Sequence, residues 1–377
     1  MYSFETALLQ IVRVGSPALP LLSPEEWQSV AQLARREQLT PLVYVAGRDA
    51  AGAGYDAAAA MPAEIATALA DAYAVSASAS VELYRQLAAV GGALRAAGVP
   101  ALLLKGAALA RPVYQDAALR PFSDLDLLVH EADIDRVHLT LTGLGYDIAG
   151  GRPSDADRTW RHGRGYFDPT RRRVPVDVHW RYIGYPLLIP LDYEAVFARA
   201  PTFSINGLPV GIPSAADMVV ALSISFLREL WYGKPRLRYL RDIAEVCGRG
   251  RVEWARLSKA VDASPLLRTP LFLSVAGAAA LLGAPVPPEM ISSLRGRRGS
   301  IFRRRLLARV TRQIMRVDRP LAAVGQVGVM RGLDAGIVEM MRWLWSLLAV
   351  PRPLAPSQRR WLRYLGGGPF TGARPVD

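Results

Sequence analysis

The run RPFSDLDLLV, Arg120 to Val129, most narrows what this chain can fold into, because it places two carboxylates at alternate positions inside an otherwise apolar segment. Side chains alternate across a strand, so Asp124 and Asp126 share one face while Leu125, Leu127 and Val129 pack on the other. Two anions at that spacing repel, and partial burial strengthens the repulsion. A shared divalent cation relieves it. The competing readings are a strand-end cap and a structural pairing with Arg120.

A second run, VPVDVHW, alternates as cleanly: Val174, Val176, Val178 and Trp180 face one way, while Asp177 and His179 share the other face with Arg173. Asp177 is the best candidate for a third carboxylate from a neighbouring strand. Oxygen ligands with no cysteine nearby favour Mg²⁺ or Mn²⁺ over zinc. Three carboxylates around two ions roughly 4 Å apart suit an in-line phosphoryl displacement. Lys105 and Gly106 end the apolar run VPALLLKG where strand gives way to helix, so free amides and a point charge can meet a phosphate there. Arg120 either neutralises Asp124 or clamps a phosphate oxygen bidentately. His179 can orient an acceptor, touch phosphate or bind metal. His162, in RHGRGYFD beside Arg161 and Arg164, reads as a solvated loop residue, with a place in the lining of the same cleft as the alternative, and Asp242, in LRYLRDIAEV, reads as a structural partner of Arg238 one turn away.

Around these runs the texture is helical. SPEEWQSVAQLARREQ opens with Ser23, Pro24 and Glu26, a capping box with proline at the first helical position. Residues Pro62 to about Ala97 support one or two Ala-rich helices. From Val99 the order is strand, helix, strand, helix, strand, strand, which predicts an α/β (α+β) fold: a small mixed-sheet core flanked by N- and C-terminal helical regions. The expected division is a helical region over 1–97, a catalytic core over 98–212, a helical domain over 213–294 and a basic helical region over 295–377.

Charge and cysteine usage bound the setting. Of the formal charge of +13, the segment Arg295 to Arg319 carries ten arginines against one aspartate, a patch suited to acidic lipid, nucleic acid or a polyanionic substrate. Its competing reading is a surface helix with an apolar stripe, Ile301, Leu307, Val310 and Ile314, turned to the core. The tryptophan pair Trp343 and Trp345 is expected to pack in the core. One cysteine, Cys247, excludes an internal disulfide and points to a reducing cytoplasm. The uncharged stretch Thr269 to Pro288 is long enough to span a bilayer, but its Ala, Gly and flanking prolines predict a buried helix, so no transmembrane segment is expected.

The succession LLLKGAALA, RPFSDLDLLV, VPVDVHW, LRYLRDIAEV and VEWARL resembles the bacterial uncharacterised nucleotidyltransferase family of the polymerase-β-like nucleotidyltransferase superfamily, over roughly Val99 to Leu282. The resemblance implies an NTP donor such as ATP and a divalent metal. By position it makes Asp124, Asp126 and Asp177 the metal-binding and catalytic carboxylates. Lys105 and Gly106 fall at the superfamily's Gly-Ser pair, but Ala107 follows and no serine hydroxyl is present. Lys105, Gly106, Arg120 and His179 are the expected nucleotide-binding residues. The expected activity is transfer of a nucleoside monophosphate to a hydroxyl or phosphate of a small molecule, peptide or RNA. Two other readings compete: a nucleotide-sugar glycosyltransferase using Asp-x-Asp for its metal, and a non-catalytic nucleotide-binding module.

Overall fold

A computed structural model describes residues 4–15, 19–52, 61–148, 151–233, 235–297, 299–315 and Asp334. The arginine run is therefore described only as far as residue 315, and Trp343 and Trp345 lie outside the described residues.

Three helices lead: α1 (Phe4–Ile11), α2 (Pro24–Glu37) and α3 (Thr40–Gly52). The capping box forms as its spacing predicts, Glu26 N donating to Ser23 Oγ at 3.3 Å and Ser23 N to Glu26 Oε2 at 2.8 Å. The Ala-rich stretch is one helix, α4 (Ala63–Ala96), with its apolar positions Leu83, Leu87, Val90 and Leu94 buried.

The mixed sheet follows. Strands β1 (Ala101–Leu103), β2 (Leu125–Val129), β3 (Asp147–Ile148), β4 (Gly163–Phe167), β5 (Val176–His179), β6 (Thr202–Ile205) and β7 (Leu208–Gly211) lie in the order β3-β4-β5-β2-β1-β7-β6. Between them run the short helices α5 (Lys105–Ala110), α6 (Ile134–Gly143), α7 (Asp155–Trp160) and α8 (Tyr193–Ala198). Strand β2 is central: it pairs antiparallel with β1 and parallel with β5. All five of its residues are buried, as a strand covered on both faces requires. The β6–β7 hairpin extends the sheet beyond the strands expected from the pattern. Its turn, Asn206-Gly207, places both residues at positive φ, 50° and 80°, where asparagine and glycine are the residues best tolerated.

Helices α9 (Ala215–Trp231), α10 (Leu237–Gly248), α11 (Trp254–Ala263), α12 (Arg268–Leu282), α13 (Pro288–Arg295) and α14 (Ser300–Met315) complete the described chain. The apolar stretch that could cross a membrane by length and composition, Pro265–Leu282, is 72% buried inside the protein. Most of it forms α12, packed on α9 and α10. In α14 the side chains of Leu306, Val310 and Ile314 turn inward, Leu307 is half-buried and Ile301 is exposed, so the stripe keeps two of its four expected members in the core, and Arg304, Arg305, Arg309 and Arg312 stand exposed. Arg303 departs from that division: it is buried and donates to Thr269 Oγ1 at 3.0 Å and to Arg295 O at 2.8 Å.

Two buried contacts tie these layers together. Asp242 on α10 accepts from Arg120 Nε at 2.6 Å and Arg120 Nη2 at 2.8 Å, and from the Tyr114 hydroxyl at 2.9 Å. The partner expected for Asp242 is thus corrected from Arg238 to Arg120, because Asp242 faces the loop that enters β2. At the N-terminal end of α10, Glu37 of α2 accepts the Leu237 amide at 2.6 Å, a carboxylate on free helix donors.

Candidate active site

Strands β2 and β5 run parallel in a register that sets Asp126 opposite Asp177 and Leu128 opposite His179. Equal spacing along both strands puts the three polar side chains on one face. The carboxylates of Asp126 and Asp177 and a ring nitrogen of His179 offer ligand atoms within 4.8 Å of one another. His179 Nε2 lies 2.7 Å from Asp126 Oδ1. Lys105, at the first turn of α5, brings its ammonium into an ion pair with Asp126 Oδ1 and to 3.4 Å from His179 Nε2.

Burial and charge set the protonation of this group. Asp126 is buried, a cost that Lys105 and the hydrogen bond from His179 overcome, so its carboxyl is held well below the usual carboxylate range. Burial, and then the charges of Asp126 and Asp177, push Asp124 up to about 6. Burial and the Lys105 charge lower His179, leaving the neutral imidazole that can ligate a metal.

The donor set fits a divalent cation. Two carboxylates and an imidazole converge, and an ammonium already serves as their counter-charge. The composition of the set differs from the expected one: Asp177 joins Asp126, but His179 stands in the close group and Asp124 does not. Asp124 precedes β2 rather than lying in it, and it senses the other two carboxylates electrostatically. Imidazole with carboxylates suits Mn²⁺ as well as Mg²⁺.

Glycines on β4 make room for the group. A Cβ at Gly165 would stand 2.9 Å from Asp177 Oδ1, and one at Gly163 would stand 2.5 Å from Val178 O and 3.0 Å from His179 Nδ1. Gly165→Ala is therefore expected to displace the Asp177 carboxylate and weaken Mn²⁺ binding by about 10- to 100-fold, the range for disturbed support around a metal ligand. Unchanged affinity in a folded variant, measured by titration calorimetry, would remove Asp177 from the site.

Beside the group opens a cavity lined by Gln38, Lys105, Gly106, Arg120, Phe122, Ser123, Asp124, Asp126, Arg228, Glu229, Arg236, Arg238 and Tyr239. Five of these are cationic and three anionic. Arg120 contributes little free charge, because its guanidinium is committed to Asp242 and to Pro121 O. It acts as a strut between the loop and α10 rather than as a counter-ion of Asp124. Gly106 is needed for packing, since a Cβ there would meet the Phe122 Cβ at 2.5 Å.

The reading of the sequence passes over the far wall of this cavity. Gln38, the left-handed cap of α2, accepts a hydrogen bond from Arg238 Nη1, and the Arg238 guanidinium lies over the Tyr239 ring at 5.2 Å. Arg228 Nη1 approaches His162 Nε2 at 3.3 Å. His162 is not a solvated loop residue: it stacks on His179 with ring centres 5.5 Å apart, and burial, then the His179 and Arg228 charges, hold it well below its ordinary pKa. The arginine spacing in RLRYLR is the signal that could have marked this wall.

The sequence profile of a family described as "Uncharacterised nucleotidyltransferase" matches residues 23–283. The match takes in α2, α3 and α4 as well as the segment from Val99 to Leu282. No curated protein and no solved structure matches the chain.

Proposed function

The chain belongs to the uncharacterised nucleotidyltransferase family, and on that premise we propose that it moves a nucleoside monophosphate from an NTP to a hydroxyl or phosphate acceptor, releasing pyrophosphate. The observation that carries this reading is the in-register pair Asp126 and Asp177, with His179, at the edge of a cation-lined cavity. We take the core as polymerase-β-like on the same grounds.

Asp126, Asp177 and His179 would hold the ion, Mg²⁺ or Mn²⁺, with Asp124 as a further carboxylate. When bound, the ion supplies positive charge that offsets charge developing on the transferring phosphoryl oxygens. The chain's own residues do the rest. Arg236 and Arg238 face the donor phosphates from α10 and the turn before it, and Lys105 faces them from α5. Asp177, only half buried, lies where it can accept the acceptor's proton. Attack by the acceptor oxygen on the α-phosphorus forms the new P–O bond as the bond to the bridging oxygen breaks, and the electron pair leaves with pyrophosphate. An NTP-dependent enzyme whose cysteine is a buried free thiol fits the cytoplasm.

The test is incubation of the full chain with each α-labelled NTP, Mg²⁺ or Mn²⁺, and fractionated bacterial lysate. Label should pass to one class of acceptor as pyrophosphate appears. If no NTP donates label under any condition while the protein remains folded, the transferase reading is wrong.

A further inference from the structure

Lys105 sits against the group of side chains that could hold a divalent ion. Its Nζ is ion-paired to Asp126 Oδ1 and stands 3.4 Å from His179 Nε2, two side chains of the three that converge as metal donors. An ammonium and a divalent cation repel at ligand distances, so an ion entering beside Asp126 weakens the hold of Asp126 on Lys105. Lys105 also lines the adjoining cavity. Its four-carbon stem can carry the ammonium there without moving the helix.

The cavity is poor in partners for an arriving cation. Arg228, Arg236 and Arg238 already stand in it, and of its three acids Glu229 lies 3.7 Å from Arg228. Asp124, which already feels the Lys105 charge, is the one further acid lining the cavity, and a polyphosphate brought from outside gives a displaced Lys105 a stronger new partner.

We propose that Lys105 is an exchangeable counter-ion: it neutralises Asp126 when no metal is bound and transfers to the donor phosphates when metal enters. This rests on the nucleotidyltransferase reading and adds to it that metal and NTP bind cooperatively. Coupling of this kind is reciprocal, so each ligand tightens the other by the same factor.

The experiment uses the full chain and two variants, Lys105→Met and Lys105→Gln, each checked for folding by circular dichroism. Mn²⁺ affinity is measured by electron paramagnetic resonance without nucleotide. Affinity for a non-hydrolysable NTP is measured separately with Mn²⁺ at a saturating concentration. Exchange predicts that both variants bind Mn²⁺ about tenfold more tightly, within the usual range of coupling, and bind the NTP more weakly. Tighter Mn²⁺ with unaltered NTP affinity would make Lys105 a fixed partner of Asp126 alone. Weaker NTP with unaltered Mn²⁺ affinity would make it a phosphate ligand alone; either result overturns the exchange. Wild-type turnover of NTP combined with flat variant affinities defeats the exchange and leaves the transferase reading standing. Failure of the wild type to bind either ligand defeats both.

Discussion

Asp126→Asn is expected to lower NTP turnover by about 10²- to 10³-fold, the loss seen when one preorganised charge leaves an active site. The structure ranks Asp126 above its neighbours. It is buried, its Oδ1 meets both Lys105 and His179, and it stands opposite Asp177 across the β2–β5 pairing. Asparagine keeps the shape but removes the charge, so Lys105 loses its counter-ion and the donor group loses its strongest member. Asp124→Asn is expected to have a smaller effect, because Asp124 lies outside the close group. Steady-state turnover with the best NTP decides it: a rate within threefold of wild type for Asp126→Asn would exclude Asp126 from the chemistry.

The largest effect on stability is expected from Asp242→Ala. Asp242 is fully buried and carries two bonds from the equally buried Arg120 guanidinium. Alanine would leave that guanidinium in the interior with no counter-charge, and breaking a buried pair in this way costs about 3 to 5 kcal/mol. The same pair joins the loop before β2 to α10, so the two walls of the cleft should lose their alignment and turnover should fall with stability. Urea unfolding at neutral pH, followed by circular dichroism, measures the loss. A shift of less than about 1 kcal/mol with an unchanged slope would show that the pair contributes little. Replacing both partners with leucine and methionine should restore much of the stability, since a buried pair is often replaceable by apolar side chains of similar size.

Patterns of short range carried through to the structure. The alternation of VPVDVHW became β5 with Asp177 and His179 on one face, and the Ser23 box capped α2. The uncharged Thr269–Pro288 segment holds a buried helix, α12. Patterns that depend on distant partners did not carry through. Nothing near Asp242 announces that its ligand is Arg120, more than a hundred positions earlier, and Arg238 one turn away was the more obvious choice. His162 looked solvated because its neighbours are arginines and glycines. It is half-buried and stacks on His179 of the adjoining strand.

The order of residues alone was enough to specify which side chains alternate along VPVDVHW and where the capped helix α2 begins. Those properties follow from backbone geometry, which repeats every two or 3.6 residues and needs no knowledge of the rest of the chain. Three-dimensional packing decided that β2 pairs with β5, that Asp126, Asp177 and His179 converge, that Arg120 is committed to Asp242, and that Gln38, Arg228, Arg236 and Arg238 line the cleft. Each of these depends on which elements come into contact, and contact between distant segments is chosen by burial of the whole core, not by any local period.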